Sequence, residues 1–156
     1  MTSVVLDTYD RQLVALVQQD ALMSQAELGE RVSLSPAAVN RRLKRLAADG
    51  VIRGQRVEVD ADALGYGLTI ITEVHVESER PDRLDTLRRA FLACPQVQQC
   101  YYVAGGCDFV LVLLVRSMAQ YTELTRSLFF ANDNVRRFST RVAMDRVKTG
   151  GAVPVD

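Results

Sequence analysis

The sequence carries no excess of charge: 19 Lys and Arg balance 19 Asp and Glu over 156 residues. It also lacks a long apolar run. The longest, Phe109–Val115, has seven residues, where a spanning helix needs about twenty. The first residues lack the basic start and apolar stretch of a secretory leader, which points to a cytoplasmic protein with no membrane partner. Cysteine is sparse and odd in number. Cys94, Cys100 and Cys107 are not spaced as paired Cys-x-x-Cys zinc ligands, so they read as small buried thiols, with no metal and no cofactor. Histidine occurs once, at His75, inside the alternating segment Thr-Ile-Ile-Thr-Glu-Val-His-Val that reads as a strand. No nucleophile has a histidine base at recognisable local spacing, so no catalytic residue is assigned. What remains is an ordinary globular composition, 48 % hydrophobic and 24 % charged, enough apolar material for one domain or two small ones.

The balanced total hides a local asymmetry. Residues 1–30 hold Arg11 against Asp7, Asp10, Asp20, Glu27 and Glu30, a net of minus four. Residues 31–56 hold Arg31, Arg41, Arg42, Lys44, Arg45, Arg53 and Arg56 against Asp49 alone, a net of plus six. A basic block of this kind is the footprint of a phosphate-facing surface.

Periodicity and capping residues organise that block. Asp7 is placed to cap a first helix whose Leu13, Leu16 and Val17 recur at helical spacing. Ser24-Gln-Ala-Glu27 has the form of a capping box and opens a second helix with Leu28 and Val32 inward. Ser35-Pro36 supplies a cap and a first-turn proline for a third helix, which stops at Gly50. Three helices within fifty residues, the last two joined by a short turn, spell a helix-turn-helix, and residues 51–59 are expected to add the hairpin of a winged variant. On the third helix Val39, Leu43 and Leu46 form the buried stripe. Ala37, Arg41, Lys44 and Ala48 project oppositely, Asn40 and Arg45 flank them, and Arg42 sits near the boundary. No acid interrupts residues 40–45, unlike the mixed charge of a merely solvated helix. Asn40 and Arg41 have the donors to read adenine and guanine, and Lys44 and Arg45 suit phosphates. The expected DNA-binding set is Ser35, Ala37, Asn40, Arg41, Arg42, Lys44, Arg45, Arg53 and Arg56, and the expected partner is double-stranded DNA.

The character changes near residue 60. The expected organisation is a DNA-binding domain over 1–60, a linker over 61–67, a second domain over 68–148 and a tail over 149–156. The second domain reads as strand 68–76, helix 82–93, strands 97–103 and 108–115, a helix over 118–130 capped by Ser117, and a last strand over 135–147. The order β-α-β-β-α-β is ferredoxin-like, so the fold class is α+β. Helices on one sheet face leave the other open, and strands there normally alternate apolar and polar residues. Phe-Val-Leu-Val-Leu-Leu-Val over 109–115 does not alternate, and a second subunit is the economical cover for the open face.

In order and spacing, Leu6-Asp-x-x-Asp10, Glu27-Leu28, Leu34-Ser35-Pro36, Arg42-Leu43-x-x-Leu46 and Gly50-Val-Ile52 resemble the DNA-binding half of the Lrp/AsnC family of transcription regulators. Leu64-Gly65, Cys100-Tyr101, Gly105-x-x-Asp108, Tyr121, Thr140 and Val147-Lys148 resemble its regulatory half. The resemblance implies a sequence-specific transcriptional regulator, a homodimer that assembles into octamers, and an amino acid or related small metabolite as effector. It places the effector near the loop between the second and third strands of the regulatory domain, between dimers. Carried over, the site comprises Ala104, Gly105, Gly106, Cys107 and Asp108, with Tyr102 and Thr140 completing it from neighbouring strands. The same Gly-Gly pair also reads as a plain hairpin turn. The chain departs from the family at Ala104 and Phe138, where Ser or Thr is usual, and at Cys107, where an aromatic is usual nearby. A ligand larger or more apolar than serine-like effectors, or none, would fit those departures. Two other readings stand beside the regulator: an enzyme or metabolite carrier on the ferredoxin-like half, with Glu73, His75 and Asp108 as its acid-base groups, and an architectural DNA packager without effector.

Overall fold

A computed structural model describes residues 4–155; the expected limits at residues 1 and 156, and the first residues read for a leader, lie outside that range. The described chain divides into two compact units. One holds the residues up to Glu58 together with those from Lys148 onward, and the other is Val59–Val147.

The first unit contains α1 (Thr8–Gln19), α2 (Gln25–Val32) and α3 (Pro36–Ala48). Each begins where a side chain satisfies an otherwise orphan amide. Asp7 accepts from the Asp10 amide while Asp10 accepts from that of Asp7, Ser24 and Glu27 repeat the exchange on α2, and Ser35 accepts from the Ala38 amide on α3. Leu13, Leu28, Val32 and Val39 form the core, with Leu16, Val17, Met23, Leu34 and Leu43 packed against it, and Leu46 is fully buried as well. The turn between α2 and α3 starts at Ser33, whose φ of 56° is left-handed. It folds so tightly that a Cβ on Gly29 would lie 2.4 Å from the Leu34 carbonyl oxygen.

The expected hairpin over 51–59 is not formed: these residues carry no strand in the described chain. Val57 and Val59 are exposed, so pairing would bury no apolar face, and an isolated two-stranded hairpin is marginal in water. Residues 148–155 of the tail group with the helices rather than trailing free. Val153 donates its amide to Gln18 Oε1 at 2.7 Å and accepts from Gln18 Nε2 at 3.1 Å.

The second unit contains β1 (Leu68–Val76), α4 (Pro81–Ala93), β2 (Val97–Tyr102), β3 (Phe109–Val115), α5 (Met118–Thr125) and β4 (Val135–Val142). The sheet order is β2-β3-β1-β4, antiparallel throughout. Two ends differ from the sequence expectation by more than one residue. The helix expected over 118–130 is α-helical only to Thr125 and closes as a π-helical turn, Arg126–Phe130. That turn buries Leu128 and Phe129 in succession. The last strand ends at Val142 rather than 147, because Arg146 is drawn off to the start of β1 and the segment before it. There it donates to both carboxylate oxygens of Asp62, to the Tyr66 carbonyl and to Thr69 Oγ1.

Alternate residues of β1 and β3 face opposite sides. Ile70, Val74, Leu111 and Leu113 join Phe91, Phe109 and Phe129 in the helix-side core, where Phe91 meets both other rings edge-on at 5.5 and 6.2 Å. On the open side, Ile71 pairs with Val112 and Glu73 with Val110. Ile71, Val110, Val112 and Leu114 are half-buried there.

Candidate DNA interface and effector loop

The basic block and the acidic segment before it meet across α1 and α3. Asp10 is 1 % exposed, a carboxylate inside a small helical unit, and burial of that kind demands partners. Its partners come from α3. Arg42 donates to Asp10 at 2.8 Å and to Asp7 at 2.6 Å, and Arg45 donates to the other oxygen of Asp10. The Asp7 carboxyl is held below the ordinary carboxylate range, first by the Asp10 amide and then by Arg42. Asp7 in turn raises the Arg42 guanidinium, with Asp10 adding to it.

Arg42 is therefore placed differently from its expected role. At 23 % exposure it is a clamp between α3 and α1, not a side chain free to reach DNA. Arg45 is shared: one guanidinium nitrogen lies on Asp10 while the side chain stays half exposed. Ala37, Arg41 and Lys44 are fully outward, Asn40 is half-buried, and Ser35 spends its hydroxyl on the helix cap. Arg53 and Arg56 are exposed on the irregular segment after α3. Arg41, Arg42 and Arg45 line a solvent-open concavity of about 230 Å³. Charge counting along the chain located the basic face, but the contacts of Asp10 span 32 and 35 residues. The only local trace is an acid at the third residue of α1.

The expected effector residues are not all brought together. Asp108 ends the 103–108 turn, where Val103 donates to its carbonyl at 2.9 Å. Its Oδ2 accepts the Val76 amide at 2.7 Å, so one carboxylate oxygen is already spent on the irregularity at the end of β1. Ala104, Gly105 and Gly106 are exposed, Cys107 is half-buried, and Gly105 has φ of +133° with open space where a side chain would be. Burial pushes the Cys107 thiol up, with Glu73 and Asp108 adding to it. Tyr102 turns to the helix side, donating to Glu79 at 3.0 Å beneath the Arg88 guanidinium. Thr140 does not join them within one chain. It lies on β4, at the sheet edge opposite β2, bound at 2.6 Å to Tyr121, whose hydroxyl also meets the buried Thr72 at 2.9 Å. Strand order, which the sequence does not print, decides this separation.

The acid-base trio of the enzyme reading does not converge on a cavity. Glu73 is paired with Arg141 at 2.6 Å and accepts from Ser139, Asp108 is tied to Val76, and His75 lies buried on β1. A concavity of about 460 Å³ beside α4 and residues 132–134 contains none of them. Among the described residues no cluster of His, Cys, Asp and Glu is arranged to hold a metal ion, and no helix is long and apolar enough to cross a membrane.

Comparison with known proteins decides what this arrangement belongs to. Residues 6–53 match a winged helix-turn-helix DNA-binding family and residues 69–153 match the Lrp/AsnC ligand binding domain. The chain belongs to the Lrp/AsnC family. It is a transcriptional regulator of that type. An uncharacterised HTH-type transcriptional regulator of Sinorhizobium fredii is 39 % identical over 97 % of this chain and 89 % of its own. A leucine-responsive regulatory protein of Haemophilus influenzae is 31 % identical over 92 % of this chain and 86 % of its own. A glutamate uptake regulatory protein of Zymomonas mobilis is 34 % identical over 79 % and 75 %. Among solved structures, an AsnC family regulator from Agrobacterium tumefaciens superposes with a TM-score of 0.90 at 25 % identity, covering 96 % of this chain and 97 % of its own. A Neisseria meningitidis regulator in complex with L-Met shares the Lrp/AsnC fold at 0.90 and 22 % identity, over 97 % and 98 %.

Proposed function

We propose that this Lrp/AsnC regulator acts in the cytoplasm, reading double-stranded DNA with the outward face of α3 and responding to an amino acid or related small metabolite. The observation that carries the reading is the face itself. Ala37, Arg41 and Lys44 stand outward on a helix whose opposite stripe is buried, with no acid on that face. Asn40 and Arg41 read base edges. Lys44, Arg45, Arg53 and Arg56 engage phosphates, the Ser35-capped helix start approaches the backbone, and Arg42 braces the face from behind. The effector is seated at Ala104, Gly105, Gly106, Cys107 and Asp108. The glycines allow backbone amides close to a carboxylate, and the remaining oxygen of Asp108 faces an ammonium group. Because this loop is open in one chain, its other wall comes from another copy, with Tyr102 at its margin and Thr140 contributing only from elsewhere in the assembly. The half-apolar open sheet face supports a homodimer, and dimers associating around the loops give the octamer. The leucine-responsive and glutamate uptake relatives, and the regulator complexed with L-Met, favour amino acids as effectors. No step of this function needs catalysis.

Footprinting on DNA upstream of the protein's own gene, with and without each of the twenty amino acids, tests both parts. Discrete protected sites that change with one amino acid are expected. Uniform coating of DNA returns the packager reading, and no protection at all overturns the assignment of α3.

A further inference from the structure

Two acids, Asp7 and Asp10, lie beneath the basic helix α3. An ordinary helix start has one capping exchange, and α1 has it: Asp7 and Asp10 serve each other's amides. Asp10 goes further by also receiving Arg42 and Arg45, and Asp7 receives Arg42 as well. Two of the three arginines around the 230 Å³ concavity are thus held by acids on its inner side, while Arg41 is not among the residues those acids hold. A free guanidinium is attracted to any phosphate, and each phosphate it neutralises adds affinity irrespective of sequence. A guanidinium held in fixed orientation gives register but no indiscriminate reach.

We propose that Asp10, with Asp7 at its rim, sets the specificity of DNA binding by restraining Arg42 and Arg45 and so keeping binding to random sequence weak. The inference rests on α3 facing DNA. Asp10 acts through the arginines and touches no nucleic acid, so it is a positioning residue. Its removal has a sign that a merely structural role does not give: random DNA is bound more tightly, not less.

The experiment compares the full chain with Asp10→Asn and Asp7→Asn. Binding is measured against the duplex protected in footprinting and against a random duplex of equal length, each over a salt series. Asparagine is as good a helix cap as aspartate, so Asp7→Asn keeps the start of α1 while removing one of the two acids on Arg42; Arg45 stays on Asp10, so a smaller change of the same sign is expected, and it carries the test if Asp10→Asn fails to fold. Each released arginine is expected to steepen the dependence of log K on log salt by about 0.9, worth up to about eightfold in random-DNA affinity near 0.1 M salt relative to 1 M. The protected duplex gains less, so the ratio of specific to random affinity falls. Unchanged salt slopes, or parallel loss of both affinities, overturn the proposal. Arg41→Ala and Lys44→Ala in the same series separate the two levels. If neither changes any DNA affinity, α3 is not the interface and the underlying reading fails. If they do and the asparagine variants do not, only the restraint fails.

Discussion

The two units of this chain solve the same problem with different chemistry. Among the described residues, the helical unit's core is built of leucine and valine with Met23 beside them and no aromatic ring, and α1 is joined to α3 through a buried carboxylate and two guanidinium groups. The sheet unit packs Phe91 edge-on against Phe109 and Phe129 and carries apolar residues on both faces of β3. Apolar packing is insensitive to pH and tolerant of direction, whereas capped amides and ion pairs fix angles and depend on protonation. The unit that must present side chains to a fixed external geometry is held by directional contacts; the unit that must associate and respond is held by area.

The largest way to test that contrast is Phe91→Ala. The ring is fully buried and touches two others, so its loss is expected to cost about 3–5 kcal/mol. Denaturant unfolding followed by amide exchange should show the sheet unit opening early while the helical unit keeps its protection. Loss of both together would break the division.

Next in size is Gly29→Ala. The added Cβ meets a backbone oxygen rather than a movable side chain, so the turn between α2 and α3 must open, at about 1–3 kcal/mol. DNA affinity should fall while Phe91 and its neighbours keep their exchange protection. A smaller effect belongs to a hydroxyl chain in the sheet unit, buried at Thr72 and Tyr121 and reaching exposed Thr140. Tyr121→Phe removes the link between Thr72 and Thr140 and should destabilise by about 1 kcal/mol, read from the denaturant midpoint.

The smallest expected effect is acid sensitivity. Asp7 and Glu27 are both held below the ordinary carboxylate range, Asp7 by the Asp10 amide first and Glu27 by Ser24. Because folded values lie below unfolded ones, their contribution is complete above the ordinary range and is lost as pH falls through the depressed values. Protection factors in α1 and α2, taken relative to the unfolded exchange rate at each pH, should therefore fall on acidification, and Asp7→Asn should flatten the α1 part of that fall. Glu73, lowered by Arg141, gives the sheet unit its own half-buried counterpart, so a larger acid response in β1 than in α1 would reverse the comparison.

Much of this organisation was written locally. Asp7, Ser24, Ser35 and Ser117 each cap the helix their spacing announces, and the stripe Val39, Leu43 and Leu46 faces inward as the 3.6-residue period requires. The apolar run 109–115 became a central strand. What escaped was set by partners distant in sequence. Arg42 looks like one more cation until Asp10 is seen beneath it, and Thr140 falls away from the glycine loop because β4 pairs with β1 instead of β2. The π-helical turn shifts register by a single residue per turn, too little to disturb a hydrophobic period over five residues. The hairpin over 51–59 failed for a related reason: alternation there had no apolar layer to pack against.

The route of the chain has a practical meaning. It leaves the helical unit after Glu58 and re-enters it at Lys148, where the following residues dock through Val153 onto Gln18. In sequence, the regulatory unit is thus an insertion carried between two parts of the reader. A protease that nicks the connection near residue 59 leaves the halves still joined by the second crossing, and a reader excised as residues 4–58 loses the strand of chain that fastens to α1. Splitting this protein into working modules calls for circular permutation or a co-expressed tail rather than a single cut.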